Sequence, residues 1–335
     1  MSSVVAAPDK FRGTATAHEV ADAIASAADA AGWACDRAPV ADGGEGTLEA
    51  LGGRVRTTSV SGPLGTPVIA EWRMDGDLGV IEMARASGLA LVGGPEGNDP
   101  LRATTRGTGQ LIAASMEAGA RRVIVGVGGS ASTDGGLGAV SALGGRQLRG
   151  LDVVVACDVT TRFVDAAEHF APQKGASAAQ VALLKRRLER LAQVYERDYD
   201  VDVTAVDGSG AAGGLAGGLA ALGADLVPGF DVVADVLHLA ERIVGADLVV
   251  TGEGFLDEQS FRGKAVGGVA ELARDAGVPV LVVAGDRYVD DLPQGIEVVS
   301  LVDRFGDDRA RSDVLACVEE VVRERLSRGT PATGR

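Results

Sequence analysis

Short apolar runs alternate with amphipathic stretches along most of the chain. Val4-Val5-Ala6-Ala7 is a compact apolar run, and residues 16–31 follow it with apolar positions at helical spacing behind Thr16, a residue type suited to helix capping. This predicts a strand and then a helix. A second strand-like stretch at 36–40 leads through Ala41-Asp42-Gly43-Gly44-Glu45-Gly46 into a short helix over 47–51. From 54 to 83 the pattern changes to alternating Val, Thr and Ile, broken by Gly62-Pro63, Gly65 and Asp75-Gly76-Asp77, which predicts antiparallel hairpins. Further strands are predicted at 122–127, 153–156, 246–250, 278–283 and 297–301, with another candidate at 201–206. Residues 180–195 place Leu183, Leu184, Leu188 and Leu191 near helical spacing with Lys and Arg between them, the pattern of a surface helix. Residues 327–335 read as a frayed tail.

Crossover patterning at both ends of the chain, interrupted by hairpins, predicts a two-domain α/β fold. A Rossmann-like parallel-sheet domain is expected from residues 1–60 and 230–326, with a mixed α/β domain inserted at 61–229. The 335 residues suit two domains. Apolar residues make up 46% of the chain and aromatics only 4%, so the cores must be built from Ala, Val, Leu and Ile, as parallel strands under Ala-rich helices are. The 48 glycines concentrate in a few loops, where they let backbone amides approach a ligand closely.

The net charge of −15 argues against a nucleic-acid partner, which needs a basic footprint. No apolar run is long enough to span a bilayer, and the first residues carry no leader pattern, so no membrane partner is expected. Cys35, Cys157 and Cys317 are far apart and odd in number, as reduced thiols of a cytoplasmic protein would be. A homo-oligomer stays open.

The loops at the strand ends carry the chemistry, because ligands of open α/β sheets bind at that edge. Asp9-Lys10-Phe11-Arg12-Gly13 closes the first strand and Asp158 follows the strand at 153–156; either aspartate could instead cap its element. Asp42 and Glu45 put two carboxylates three residues apart, with an acidic helix N-terminus as the alternative reading. In Gly126-Val127-Gly128-Gly129-Ser130-Ala131-Ser132-Thr133-Asp134-Gly135-Gly136 an apolar strand runs into glycines and hydroxyls, a favourable place for an anion; Ser132 or Asp134 acting as a helix cap is the alternative. Thr104-Thr105-Arg106-Gly107-Thr108-Gly109 offers hydroxyls and amides, or a capped turn. Gly208-Ser209-Gly210-Ala211-Ala212-Gly213 has dinucleotide-loop spacing, but the expected acid about 20 residues on is not clearly placed, and tight helix packing or another phosphate loop fits equally. Thr251-Gly252-Glu253-Gly254-Phe255-Leu256-Asp257 precedes Arg262-Gly263-Lys264 and brings acids and bases together. It is not a Walker loop: Glu258 stands at its first glycine and Ala265 follows the lysine. Lys264 is a candidate phosphate cation or a solvated surface lysine. His18, His169 and His238 are scattered and form no triad. Together these loops hold what phosphoryl transfer needs: phosphate donors, carboxylates for a metal and a group to orient the acceptor hydroxyl.

The ordered set of loops resembles the bacterial type I glycerate kinases. The resemblance rests on the segments around Asp9-Lys10-Phe11-Arg12-Gly13, Ala41-Asp42-Gly43-Gly44-Glu45-Gly46, Gly62-Pro63-Leu64-Gly65, Ala86-Ser87-Gly88-Leu89, Thr104 to Gly109, Gly128 to Gly136, Ala156-Cys157-Asp158-Val159-Thr160, Pro172-Gln173-Lys174-Gly175-Ala176, Gly210 to Gly214 and Thr251 to Lys264, in family order to about Gly285. It implies a two-domain α/β kinase that uses ATP and magnesium (Mg2+) to phosphorylate D-glycerate, chiefly at the 2-hydroxyl, with either phosphoglycerate described as product. On chemical grounds Asp257 or Asp158 would orient the hydroxyl, Asp42, Glu45 and Glu253 would hold magnesium, and Lys264 would meet phosphate. Asp9, Lys10, Thr104, Thr105, Gly128, Gly129, Ser130, Ser132, Thr133, Asp134, Lys174, Gly210, Gly213 and Gly214 are the further substrate or phosphate candidates. The chain departs from the family at Thr161-Arg162-Phe163, where Asn-Pro-Leu is usual, in 164–171, and in a short connector between Leu143 and Asp152. Arg162 could select another small hydroxy acid. A dinucleotide-binding protein and a non-catalytic relative are the remaining readings.

Overall fold

The computed structural model describes residues 2–144, 148, 150–261, 264–289 and 295–328. Arg262, Gly263 and most of the expected tail, 329–335, lie outside the described residues. The strands are β1 (Ser3–Ala6), β2 (Ala34–Arg37), β3 (Arg54–Ser61), β4 (Pro67–Asp75), β5 (Leu78–Glu82), β6 (Arg122–Gly126), β7 (Asp152–Ala156), β8 (Asp225–Val227), β9 (Leu248–Leu256), β10 (Val280–Arg287) and β11 (Ile296–Ser300). The chain divides into two compact units, the first from Met1–Asp42, Glu49–Leu51 and Phe230–Arg335, the second from Gly43–Leu48 and Gly52–Gly229.

The first unit is built on an all-parallel sheet in the order β11-β10-β9-β1-β2. Helices Ala17–Ala30 and Val314–Ser327 pack together and share a core with the sheet in which Val4, Ala6, Ile24, Leu281, Val283 and Val318 are buried. Small Ala and Val side chains let the helices sit close on the strands, as the composition requires. The first helix starts where Thr16 Oγ1 accepts from Glu19 N (3.2 Å) and the Glu19 carboxylate accepts from Thr16 N (2.8 Å), a reciprocal cap. Thr16→Ala is expected to cost about 1 kcal/mol in thermal or urea unfolding, with turnover unchanged. The chain runs from β1 outward to β2 in one direction and from β9 through β10 to β11 in the other, so the strand order reverses between β1 and β9. Clefts at such reversals, beyond the strand C-termini, are where open α/β sheets bind ligands.

The second unit carries a mixed sheet, β3-β4-β5-β6-β7-β8. β3, β4 and β5 are antiparallel, and β5 to β8 are parallel. Its core gathers Ile81, Val123, Val125 and Val155 from the sheet with Leu111, Leu188, Tyr195 and Leu215 from helices Arg106–Glu117, Ala178–Tyr199 and Ala211–Ala221. Residues 54–60, expected with the parallel-sheet region, belong instead to this mixed sheet, because β3 pairs with β4 over its whole length, from Arg54↔Met74 to Ser61↔Pro67.

Three local differences from the sequence pattern have clear causes. Residues 201–206 form turns, not a strand: the Asp202 carboxylate accepts from Thr204 N (2.9 Å) and Thr204 Oγ1 (2.6 Å), a local turn that competes with strand pairing. β9 runs on through Thr251-Gly252-Glu253-Gly254 to Leu256, because that polar stretch still pairs with β10, Glu253 opposite Ala284. Strand β8, only three residues long, gives too short a signal to be read from sequence.

Candidate active site

The cleft where the first sheet reverses is a cavity of about 390 Å³. Four carboxylates line it, Asp9, Asp42, Glu253 and Asp257, together with four cations, Lys10, Arg12, Lys264 and Arg311. The strand ends hold these groups in place. Asp9 N donates to Gly252 O (2.9 Å) and Thr251 Oγ1 donates to Ala7 O (2.7 Å), tying the segment after β1 to β9. Glycine is required beside them: a Cβ on Gly285 would lie 2.5 Å from Gly254 O.

Asp9 is 7% exposed, and its Oδ1 accepts from Lys10 N (2.6 Å) with Lys10 Nζ 3.7 Å away. Burial lifts its pKa to about 6; Lys10 pulls it down and Asp42 pushes it up. Glu253 is lifted to about 7, again mainly by burial, with Ser260 and Lys264 acting against Asp9 and Asp257. Its Oε1 is buried with no hydrogen-bond partner among the described residues. Asp257 Oδ1 accepts from Gln259 N (2.8 Å) and Ser260 N (3.1 Å), which shapes the short turn Glu258–Phe261. Lys264 stands at the start of helix Ala265–Asp275.

The cavity suits a hard cation in its chemistry. No three metal-binding side chains among the described residues converge on one point. A magnesium ion that comes with phosphate oxygens needs only one or two protein carboxylates, however, and the Glu253 oxygen beside Asp9, without a partner among the described residues, fits that need. Among the magnesium candidates, Asp42 and Glu253 line this cavity, whereas Glu45 belongs to the second unit.

In the second unit, a cavity of about 360 Å³ lies beyond β6 and β7, lined by Val127, Gly129, Ser130, Val159, Lys174 and Ala212 among others. Lys174 is 2% exposed and its Nζ donates to Ser132 O (2.6 Å); burial brings its pKa down to about 7 while Asp134 opposes the shift. Asn98 Nδ2 bridges Ala131 O and Lys174 O, joining the two loops.

The structure gives several expected binding residues other work. The Asp134 carboxylate accepts from Thr104 Oγ1, from Thr105 N and Oγ1, and from Gly136 N and Gly138 N. The polar atoms of Thr104, Thr105 and Asp134 are thus used in joining the starts of two helices, the capping alternative. Thr104, Thr133 and Asp134 line a different cavity from the one holding Ser130 and Lys174. Gly213 and Gly214 adopt φ of +67° and +89° and press on the 132–135 loop: a Cβ on Gly213 would lie 2.1 Å from Ser132 O. A Cβ on Gly210 would lie 2.4 Å from Arg162 O. With no strand before them, these glycines serve packing rather than a dinucleotide turn. Asp158 also belongs to the second unit, where its Oδ1 accepts from Gly229 N (2.6 Å). Gly128 lies within the loop that leaves β6, ahead of Gly129. Arg162 makes an exposed ion pair with Asp207 (3.4 Å).

Sequence reasoning passed over Arg12, Arg311 and Glu82. Arg12 stands inside the Asp9 to Gly13 segment and was in reach. Arg311 pairs with Asp307 four residues back (2.7 Å), which reads as an ordinary helix-surface pair. Glu82, 3% exposed at the end of β5, accepts from Gly46 N (2.9 Å) and Leu48 N (3.1 Å) and so holds the Gly43 to Thr47 turn; nothing in its neighbourhood signals that partner.

Against this geometry, the sequence profile described as the glycerate kinase family matches residues 4–152 and 145–322. The chain belongs to the glycerate kinase family. It is 42% identical over 331 residues to the glycerate 2-kinase of Escherichia coli (strain K12), with 86% of each chain covered. It is 40% identical over 323 residues to the glycerate kinase of Bacillus subtilis (strain 168), with 84% of each covered. The crystal structure of a protein assigned as glycerate kinase 2 from Salmonella typhimurium LT2 superposes with a TM-score of 0.85 at 35% identity, covering 98% of this chain and 99% of that one. The two-unit α/β fold is therefore that of a family member over nearly its full length. Among the described residues no helix is long and apolar enough to cross a membrane.

Proposed function

We propose that this protein is an ATP-dependent kinase of the type I class that phosphorylates D-glycerate at its 2-hydroxyl, giving 2-phosphoglycerate and ADP in the cytoplasm. The observation that carries the reading is the first-unit cavity, where four carboxylates and four cations meet at the sheet reversal. A polyanionic nucleotide needs both: cations against its phosphates, and carboxylates for the divalent ion that accompanies them. Lys10, Arg12, Lys264 and Arg311 would offset phosphate charge. Glu253 and Asp9 would hold magnesium, assisted by Asp42, and the ion would supply charge neutralisation on the phosphoryl oxygens. Asp257, with one oxygen committed to its own turn, would use the other to orient the acceptor hydroxyl and take its proton as the new O–P bond forms and the bond to ADP breaks. The name of the Escherichia coli relative supports the 2-hydroxyl over the 3-hydroxyl.

Incubation with ATP, magnesium and D-glycerate is expected to release ADP in step with 2-phosphoglycerate, resolved from 3-phosphoglycerate by a coupled assay. Absence of ADP release above background removes the reading, and 3-phosphoglycerate as sole product removes its regiochemistry.

A further inference from the structure

The second unit holds a third cavity, lined by none of the residues assigned above to phosphoryl transfer, a groove of about 650 Å³ between helix Ala178–Tyr199 and the 100–106 and 133–141 segments. Its volume is in the range of small-molecule sites. Leu184, Leu188, Leu191 and Val194 line one side and Leu101 and Leu137 the other, with Leu137 49% exposed. Four arginines also line it: Arg102, Arg106, Arg187 and Arg190.

These arginines stand apart from most others in the chain. No salt bridge to any of the four is found among the described residues, whereas Arg37, Arg122, Arg242, Arg304, Arg309 and Arg325 are each paired with a carboxylate. Arg187 Nη1 donates to Leu101 O (2.9 Å), and the one carboxylate on the lining, Asp134, is taken up by five donors from neighbouring loops. In a protein of net charge −15, four guanidinium groups without a carboxylate partner among the described residues, around one groove, are an anion-attracting patch.

We infer that this groove is a binding site for a small amphipathic anion, an acyl or aryl body carrying a carboxylate, sulfonate or phosphate head. The leucines would cover the apolar body and the arginines would pair with the head. A second copy of the chain fits less well, since a self-complementary interface here would bring like-charged arginines together.

The test uses the full chain and 8-anilinonaphthalene-1-sulfonate, an aryl sulfonate of this class. A one-to-one rise in fluorescence is expected, weakened by added salt and retained in saturating ATP and D-glycerate. Arg187→Glu with Arg190→Glu should weaken binding at least tenfold, and Leu137→Asp should do so from the apolar side with little effect on the melting temperature. Arg186→Glu, on the same helix but outside the cavity lining, should leave binding unchanged. Octanoate and 1-naphthyl phosphate as competitors then tell an acyl from an aryl preference, and displacement by either supports the site. No saturable binding, equal binding by all variants, full displacement by ATP and D-glycerate, or a concentration-dependent dimer that the arginine variants abolish would each overturn it.

Discussion

Glu253→Gln is expected to lower turnover of ATP and D-glycerate by about 10²-fold or more while leaving the unliganded protein at least as heat-resistant at pH 8 as the parent. Glutamine keeps the volume of the side chain and can still bond Ser260, so the packing of β9 against β10 is preserved. What it removes is the charge. In the folded protein burial raises the Glu253 pKa from 4.5 to about 7, so the folded state binds a proton more tightly than the unfolded chain does. The stability this group contributes is therefore complete below pH 4.5 and lost as pH rises through 7, where the carboxylate ionises without a partner for Oε1 among the described residues. The glutamine variant should gain on the parent between pH 5 and pH 8. Loss of activity accompanied by a lower melting temperature at pH 8 would instead mark Glu253 as scaffold. The same pKa bears on metal affinity: a cation competes with the proton, so the magnesium concentration for half-maximal rate should rise as pH falls below 7.

Gly213→Ala should destabilise the second unit by about 3 kcal/mol, seen as a melting temperature lower by roughly 6–12 °C. Two costs add here. The backbone at Gly213 has φ of +67°, a conformation that strains any residue with a Cβ, and that Cβ would lie 2.1 Å from Ser132 O and 2.7 Å from Thr133 Cα. Both contacts are to backbone, so no side chain can swing aside. Ser132 O is also the acceptor for the buried Lys174 ammonium, and displacing it would leave a desolvated cation short of its partner. A melting shift under about 2 °C would show that the 132–135 loop yields more readily than its packing indicates.

The elements were legible where pattern and packing agree. The apolar runs of β1, β6 and β7 and the hairpin alternation of β3 to β5 mark strands because one or both faces are buried. Pairing partners were less legible: β3 belongs to the mixed sheet through its register with β4, a long-range choice that no local pattern encodes. The acidic and basic residues at the ends of β1 and β9 could be picked out by type and position, since a strand C-terminus is a known ligand edge. What the sequence could not tell was how each polar loop divides between chemistry and scaffolding. Asp134 looks like an anion-loop residue and is spent on five backbone and hydroxyl donors. Glu253 sits in a similar glycine-rich setting and keeps an oxygen in reserve. Side-chain type is the same in kind; only the three-dimensional neighbours separate the two.

The sheet that holds the candidate active site is assembled from both chain termini, and this sets an order of events during synthesis. Ser3 N donates to the Asp247 carboxylate 244 residues downstream, and β1 finds a neighbour in β9 that leaves the ribosome late. At ordinary elongation rates the roughly 210 residues between β2 and β9 take about 10–40 s to emerge. During that interval Val4 and Val5 lack one of their two flanking strands, while the second unit, nearly contiguous in sequence, already has most of its partners. A nascent chain arrested before β9 would therefore carry an ordered middle and an apolar β1 edge left open on one side, the kind of segment that chaperones retain and proteases clear.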